Sequence, residues 1–258
     1  MRCFLIALWN IFCNFAPMKR AIIMGASSGM GRDVAQALAA EGWQVGIAAR
    51  RLEPLQELQR AYPNRIKVRQ IDVCNEQAGN ELLQLIEQTG GMDLYFHASG
   101  IGKLNPDLNL GIEMRTVETN VVGFTRLIDT VFNYMASHGG GQMTVISSVA
   151  GMRGLSPAPS YSATKAFQNN YLEALEQASI MRDLNIKVTD IRPGFVDTPL
   201  LADGHYPMTM SREKVVRAIL RAIRHRRHVC VIDGRYRLLV FFWRIVPRCL
   251  WRRFRLMK

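Results

Sequence analysis

Tyr161 and Lys165 lie four residues apart in the segment SYSATKAFQNNYLEALE. A helix over this stretch stacks both side chains on one face. An ammonium one turn from a phenol favours phenolate, and so lowers a pKa that is about 10 in model peptides. A phenol tuned toward neutrality hands a proton to a carbonyl oxygen or takes one from an alcohol. Tyr-x-x-x-Lys alone is common in helices. Its meaning here comes from its company: a glycine-rich turn near the N-terminus, and the pair Ser147-Ser148 just upstream. Ser148 lies 13 residues before Tyr161 and follows the apolar run MTVI. That places its hydroxyl at the carboxyl end of a strand; on its own it reads as a turn serine.

The glycine-rich turn is Gly25-Ala26-Ser27-Ser28-Gly29-Met30-Gly31. It falls between an apolar run and a helical pattern. Glycines there permit a tight turn and close backbone approach to a pyrophosphate, and the following helix N-terminus supplies amide donors. The spacing is G-x-x-x-G-x-G rather than G-x-G-x-x-G, and a plain strand–helix turn is the bland reading. In dinucleotide sites an acid about 20 residues further on binds the ribose of NAD. Here the second strand ends Ala48-Ala49-Arg50-Arg51, with no acid. Guanidinium groups at that place suit the 2′-phosphate of NADP. Asp72, in Ile71-Asp72-Val73, ends the third strand, where its carboxylate accepts from an adenine amino group or caps the next helix.

Strand and helix alternate along the chain. Apolar runs predict strands over Ala21–Met24, Gln44–Ala49, Ile66–Ile71, Asp93–Phe96, Gln142–Ile146, Lys187–Ile191 and Val229–Ile232. Helical spacing predicts helices over Met30–Ala40, Pro54–Tyr62, Glu76–Gln88, Met114–Met135, Ser160–Arg182 and Arg212–Ile223. Short, continuously apolar strands separated by helices imply a parallel sheet covered on both faces. Right-handed crossovers make it a doubly wound α/β fold, with ligands at the carboxyl ends of the strands.

The chain has 258 residues, 48% of them hydrophobic, enough for one sizeable core. Its 5 cysteines are scattered, odd in number and without metal-ligand spacing, and the 5 histidines form no zinc motif. That pattern fits a reducing compartment. The net charge of +12 is uneven. From Ser211 to Lys258 there are 15 Lys/Arg against Glu213 and Asp233, while the rest of the chain carries a local −1. Such charge speaks to partners rather than to fold.

Taken together, these motifs resemble the short-chain dehydrogenase/reductase family over roughly residues 19–232. The resemblance implies a single Rossmann-type domain over 18–234. It matches Gly25, Gly29 and Gly31 to the cofactor glycines, and Asp72 to the adenine-binding acid. Asn120, in Thr-Asn-Val-Val-Gly, falls on the asparagine that holds a water of the proton relay. Ser148, Tyr161 and Lys165 complete the catalytic set. Pro193-Gly194-Phe195-Val196-Asp197-Thr198 looks like the segment that walls the nicotinamide, with Thr198 near its amide. The cofactor contacts expected are Gly25, Ser27, Ser28, Gly29, Met30, Gly31, Arg50, Arg51, Asp72, Val73, Ala98, Gly100, Pro193, Gly194, Val196 and Thr198, with Tyr161 and Lys165. NADPH then gives hydride to a carbonyl carbon, Tyr161 donates the proton, Lys165 lowers the phenol's pKa and holds the nicotinamide ribose, and Ser148 positions the carbonyl. A small carbonyl or alcohol is the expected substrate, and a homo-oligomer the expected assembly. Leu200, Leu201, Tyr206 and Met208 are expected to make the pocket partly apolar. Two positions depart from the family pattern. Met24 replaces the usual threonine, and His97-Ala98-Ser99-Gly100 replaces Asn-Asn-Ala-Gly; His97 is read as a structural stand-in rather than a base.

Both ends of the chain are unusual. Residues 1–17, MRCFLIALWNIFCNFAP, are apolar and short for a bilayer span. They read as preceding the true start, with a membrane anchor or a cleaved signal as alternatives. A nucleotide cofactor favours the cytoplasm. Residues 235–258 form a basic, aromatic-rich tail. It is too short and too charged to span a bilayer, and Pro247 divides it into two short helical pieces. It suits either a peripheral contact with an anionic membrane or packing against a subunit or pocket. No nucleic-acid recognition motif is visible. A cofactor-binding scaffold or redox sensor without turnover is the rival to an enzyme, and the four catalytic positions argue against it.

Overall fold

The computed structural model describes residues 19–198 and 206–254. The N-terminal extension, Leu200 and Leu201, and the last four residues lie outside the described residues. Seven strands are β1 (Arg20–Met24), β2 (Gln44–Ala49), β3 (Ile66–Gln70), β4 (Leu94–His97), β5 (Gly141–Ile146), β6 (Ile186–Arg192) and β7 (Val229–Val231). They form one sheet in the order β3-β2-β1-β4-β5-β6-β7, every pair parallel. The order reverses between β1 and β4, and a ligand crevice opens at such a switch point.

The helices are α1 (Gly29–Ala40), α2 (Glu53–Ala61), α3 (Ala78–Thr89), α4 (Leu110–Val117), α5 (Phe124–Ser137), α6 (Pro159–Met181), α7 (Arg212–Arg224), α8 (Gly234–Ile245) and the single turn α9 (Arg248–Trp251). They divide into two layers because the strands are apolar on both faces. On one face Val34 and Leu38 of α1, Ile219 of α7 and Tyr236 of α8 pack on the sheet. On the other, Leu82 of α3, Phe124 and Leu127 of α5 and Leu172 of α6 do so. Tyr95, Phe96 and Phe124 are wholly buried; each such side chain contributes roughly 2 kcal/mol of transfer free energy.

Two elements differ from the sequence expectation. The single helix expected over Met114–Met135 is three pieces. It starts at Leu110, where Asn109 accepts from the Ile112 amide, and passes through a π-helical stretch, Glu118–Gly123, before α5. The reason is tertiary: Asn120 is fully buried and its amide is engaged by residues from two other segments. Such π stretches recur at functional sites. The helix expected from Glu76 begins at Ala78, because the chain first turns tightly. Asn75 N–H bonds the Asp72 carbonyl and Gln77 N–H bonds the Asn75 side chain.

The C-terminal segment is two-faced. Asp233 caps α8, accepting from the Arg235 amide at 2.9 Å. Tyr236 and Val240 face inward and are buried. α8 ends before Pro247, and α9 resumes the helix at Arg248.

Candidate active site

β1 delivers the chain into the glycine turn at the switch point. Gly25 has φ +89°, a left-handed conformation that disfavours any side chain. A Cβ there would also lie 2.6 Å from the Ser99 nitrogen, so the turn after β4 packs directly on it. A Cβ on Gly31 would meet the Gly25 oxygen at 2.3 Å. These contacts seat the start of α1 tightly over the end of the strand, and a helix N-terminus carries amides without intrahelical partners. Ala98 is held to β1 by its amide on the Met24 carbonyl, 2.8 Å. Gly100 lets the chain pass close to Asn120 and Lys165. Met30 packs against the core beneath.

The two arginines after β2 behave differently. Arg51 donates to the hydroxyls of Ser27 and Ser28, at 3.2 and 3.3 Å. Its guanidinium therefore already spans the rim of the glycine turn. Arg50 is exposed, and its carbonyl accepts from Gln70. Asp72 bonds the Cys74 amide at 3.1 Å, which closes a local turn rather than capping α3. Val73 is buried, with its carbonyl held by Arg126. Across the crevice, Thr198 is near Gly29, 3.7 Å from where a Cβ would stand. The Pro193–Thr198 segment is fastened at its base. Val196 pairs with Met210, the Met210 amide bonds the Phe195 carbonyl, and the Tyr236 hydroxyl accepts from the Phe195 amide at 3.0 Å. These residues fit a dinucleotide: a cradle that a Cβ would fill, a helix N-terminus, and a guanidinium at its edge.

Ser148, Tyr161, Lys165 and Asn120 come together at the carboxyl ends of β4 and β5. The Ser148 hydroxyl accepts from the Ala150 amide at 3.0 Å and donates to the Pro193 carbonyl at 3.5 Å, beside the Tyr161 phenol. Lys165 donates to the Ile146 carbonyl at 3.1 Å, and its ammonium is 5.9 Å from the Tyr161 ring centroid. The Asn120 amide grips Ile101, accepting from its nitrogen at 2.9 Å and donating to its carbonyl at 2.7 Å. It also reaches Thr164 at 3.1 Å, tying the π-helical stretch to α6.

One electrostatic expectation is corrected. Helical spacing suggested that Lys165 lowers the Tyr161 pKa. In the folded chain burial raises it, and only the neighbouring Ser148 hydroxyl opposes that shift. The phenol is desolvated by its surroundings, including Gly102, where a Cβ would be 2.5 Å from the ring. Lys165 is itself pushed down to about 8 by burial, with the Asp190 carboxylate pulling the other way. His97 is driven down to about 3 by burial and by Lys165. Its Nδ1 is hydrogen-bonded to the buried Tyr95 hydroxyl at 2.9 Å. A neutral, buried ring of this kind is a structural group.

Several residues escaped the sequence reading. Gln168 is fully buried between Lys165 and Asn120; its place seven residues after Tyr161, on the same helical face, was the available signal. Arg153 closes the end of α8, donating to the carbonyls of Trp243 at 2.8 Å and Val246 at 2.7 Å. Tyr236 abuts Gly194. One surface cleft lies between α1 and α7 and reaches Asp197 and Thr198, and another lies beneath α9; side-chain chemistry marks this site.

A doubly wound parallel sheet with a glycine turn at β1 and a serine–tyrosine–lysine cluster beyond β5 defines a class of nucleotide-dependent oxidoreductases. The chain belongs to the short chain dehydrogenase family, whose pattern matches residues 19–205. It is similar to an uncharacterized oxidoreductase of Myxococcus xanthus, 34% identical over 201 residues that cover 76% of this chain and 79% of that one. Its fold is shared with a short-chain dehydrogenase from Streptomyces avermitilis, with TM-score 0.76, 24% identity, and coverage of 87% and 92%. It is shared too with the actinorhodin polyketide ketoreductase solved with NADPH, with TM-score 0.74, 22% identity, and coverage of 84% and 96%. The chain is thus an oxidoreductase of a family that binds a nicotinamide cofactor.

Proposed function

We propose that this protein is an NADPH-dependent reductase acting on the carbonyl of a small, partly apolar molecule, or on the matching secondary alcohol in reverse. The observation that carries the reading is the Tyr161 phenol, with the Ser148 hydroxyl beside it and the Lys165 ammonium one helical turn away, 5.9 Å from the ring centroid. Bound nicotinamide supplies the hydride. Gly25, Gly29, Gly31 and the α1 amides hold the pyrophosphate, and Pro193–Thr198 wall the nicotinamide side. Ser148 orients the carbonyl oxygen. Burial keeps the Tyr161 phenol protonated, which suits donation to that oxygen. Lys165 then stabilises the phenolate left behind. Arg51, already on the Ser27 and Ser28 hydroxyls, supports NADP over NAD by pairing with a 2′-phosphate. Phe195 and Tyr206, with ring centroids 4.7 Å apart, support an apolar substrate. A panel of aliphatic, steroid and aromatic carbonyls, followed by loss of NADPH absorbance, tests the activity. If no carbonyl or alcohol is turned over while NADPH binds, the sensor reading replaces it.

The C-terminal segment supports a peripheral contact with an anionic membrane surface. Leu238, Phe241, Phe242 and Ile245 fall at i, i+3, i+4 and i+7 along α8, and each is more than half exposed. Between Gly234 and Phe254 there are six arginines and no acidic residue. No helix among the described residues is long and apolar enough to cross a membrane, so the segment would lie in the interface plane. Flotation with phosphatidylglycerol-containing vesicles compares the full chain with a Phe241→Ser, Phe242→Ser variant. Salt-weakened flotation, lost in the variant, supports the reading. No flotation, with an oligomer broken by the variant, makes this face a subunit contact.

A further inference from the structure

Gln168 has no role in the chemistry described so far, yet it is placed at its centre. It sits on α6, seven residues after Tyr161 and three after Lys165, and is 0% exposed. Its carbonyl oxygen accepts from the Lys165 ammonium at 2.8 Å, and its amide nitrogen donates to the Asn120 main-chain carbonyl at 2.9 Å. The orientation of the amide is dictated by chemistry. An ammonium only donates and a carbonyl only accepts, so the reverse orientation leaves both contacts repulsive. A buried primary amide with both ends on charged or polar partners is costly unless it is satisfied, and here each end is.

We infer that Gln168 is a positioning residue: its side-chain amide fixes the Lys165 ammonium in place and ties it to the π-helical stretch at Asn120. This rests on the reading of Lys165 as the cation beside the proton donor. With Ile146 holding a second N–H of the ammonium, the third is left for the crevice. The amide does two further things. It makes a direct bridge from Lys165 to the Asn120 backbone. It also supplies an uncharged acceptor that favours the protonated amine where burial opposes it.

The charged and titratable groups facing Lys165 from the surrounding elements are few. Tyr161 lies on its own helix. Asp190 lies on β6, where its carboxylate pairs with Arg192 at 2.6 Å and accepts from Ser147. His97 on β4 is neutral. Asp190 is thus shared with Arg192, and its hold on Lys165 is divided. Gln168 is the direct side-chain acceptor, which makes the lysine's protonation sensitive to this one position.

The test reads the ammonium itself, without substrate or cofactor. Lysine labelled with 13C at Cε is titrated by NMR in the wild-type chain, with Lys165→Met identifying the resonance. The wild-type signal is expected to titrate near pH 8, in line with the depressed value of about 8. Gln168→Met removes the acceptor while keeping the volume, and is expected to lower the midpoint by about one unit. Gln168→Glu is nearly isosteric and adds a charge, and is expected to raise it. Opposite shifts from two variants of similar size are not produced by a packing role. If the midpoints of all three proteins coincide, Gln168 only fills space and the inference is overturned. It is overturned equally if Gln168→Glu, folded and binding NADPH, lowers the midpoint. An enzyme that keeps normal turnover after Tyr161→Phe would defeat the catalytic reading, while leaving the tie between Gln168 and Lys165 to be judged by the titration.

Discussion

The Tyr236 ring lies against Gly194 so closely that a methyl group there would stand 2.0 Å from the ring's Cζ. The same phenol accepts a hydrogen bond from the Phe195 amide at 3.0 Å. A residue of the C-terminal helix thus supports the segment expected to wall the nicotinamide. Tyr236→Phe removes only the hydroxyl and should cost about 1 kcal/mol of stability by urea denaturation. Gly194→Ala should cost about 1–3 kcal/mol and weaken NADPH binding, because neither the ring nor the backbone has room to yield. An unchanged NADPH affinity in Gly194→Ala would separate this contact from the cofactor wall.

Tyr161→Phe should lower turnover by about 10²–10⁴-fold while NADPH affinity stays within a few fold. The change deletes the transferable proton and little else. Fluorescence titration of NADPH alongside steady-state kinetics distinguishes the two quantities. Near-normal kcat would remove Tyr161 from the role of acid.

Arg51→Ala should weaken NADP by roughly 10- to 100-fold and NAD hardly at all, as expected when a charge-assisted hydrogen-bonding partner is lost. Arg51 rather than Arg50 is singled out because its guanidinium already reaches Ser27 and Ser28. Arg50→Asp should add a repulsion and widen the shift toward NAD. Dissociation constants of both cofactors for each variant decide it; an unaltered NADP/NAD ratio in the double variant would sink the preference.

His97 should make stability fall on the acid side. Its folded pKa is held down to about 3 by burial, against a usual value near 6.5. Below about pH 6.5 the unfolded chain binds a proton that the folded chain refuses, so stability is lost as pH drops toward 3. Between pH 7.5 and 5.0 this one group should cost about 2 kcal/mol. His97→Asn should flatten that part of the curve, measured by urea denaturation at the two pH values. Equal slopes for both proteins would show that His97 is not the group responsible.

Periodicity alone was enough to lay out the alternating strands and helices, because strands buried on both faces read as unbroken apolar runs. It also put Gly25, Arg51, Ser148 and Tyr161 at strand ends or on the first turns after them, where a parallel sheet presents its ligand crevice. The spacing of Tyr161 and Lys165 needed only a helix. What spacing does not contain is solvent. The phenol's pKa rises rather than falls because Gly102 and its neighbours pack on the ring and leave it half-buried, and those neighbours come from a different part of the chain. For the same reason the break of a long helix at Asn120 was hidden: the side chain is engaged by Ile101 and Thr164, far away in sequence. Gln168 read as one more polar residue of a helix until folding set Lys165 on one side of it and the Asn120 carbonyl on the other. At the C-terminus, composition marked a basic, aromatic segment. Only packing divided it into an inner face, with Tyr236 against Gly194, and an outer face of Phe241 and Phe242, because which side of a helix meets the core depends on the surface it meets.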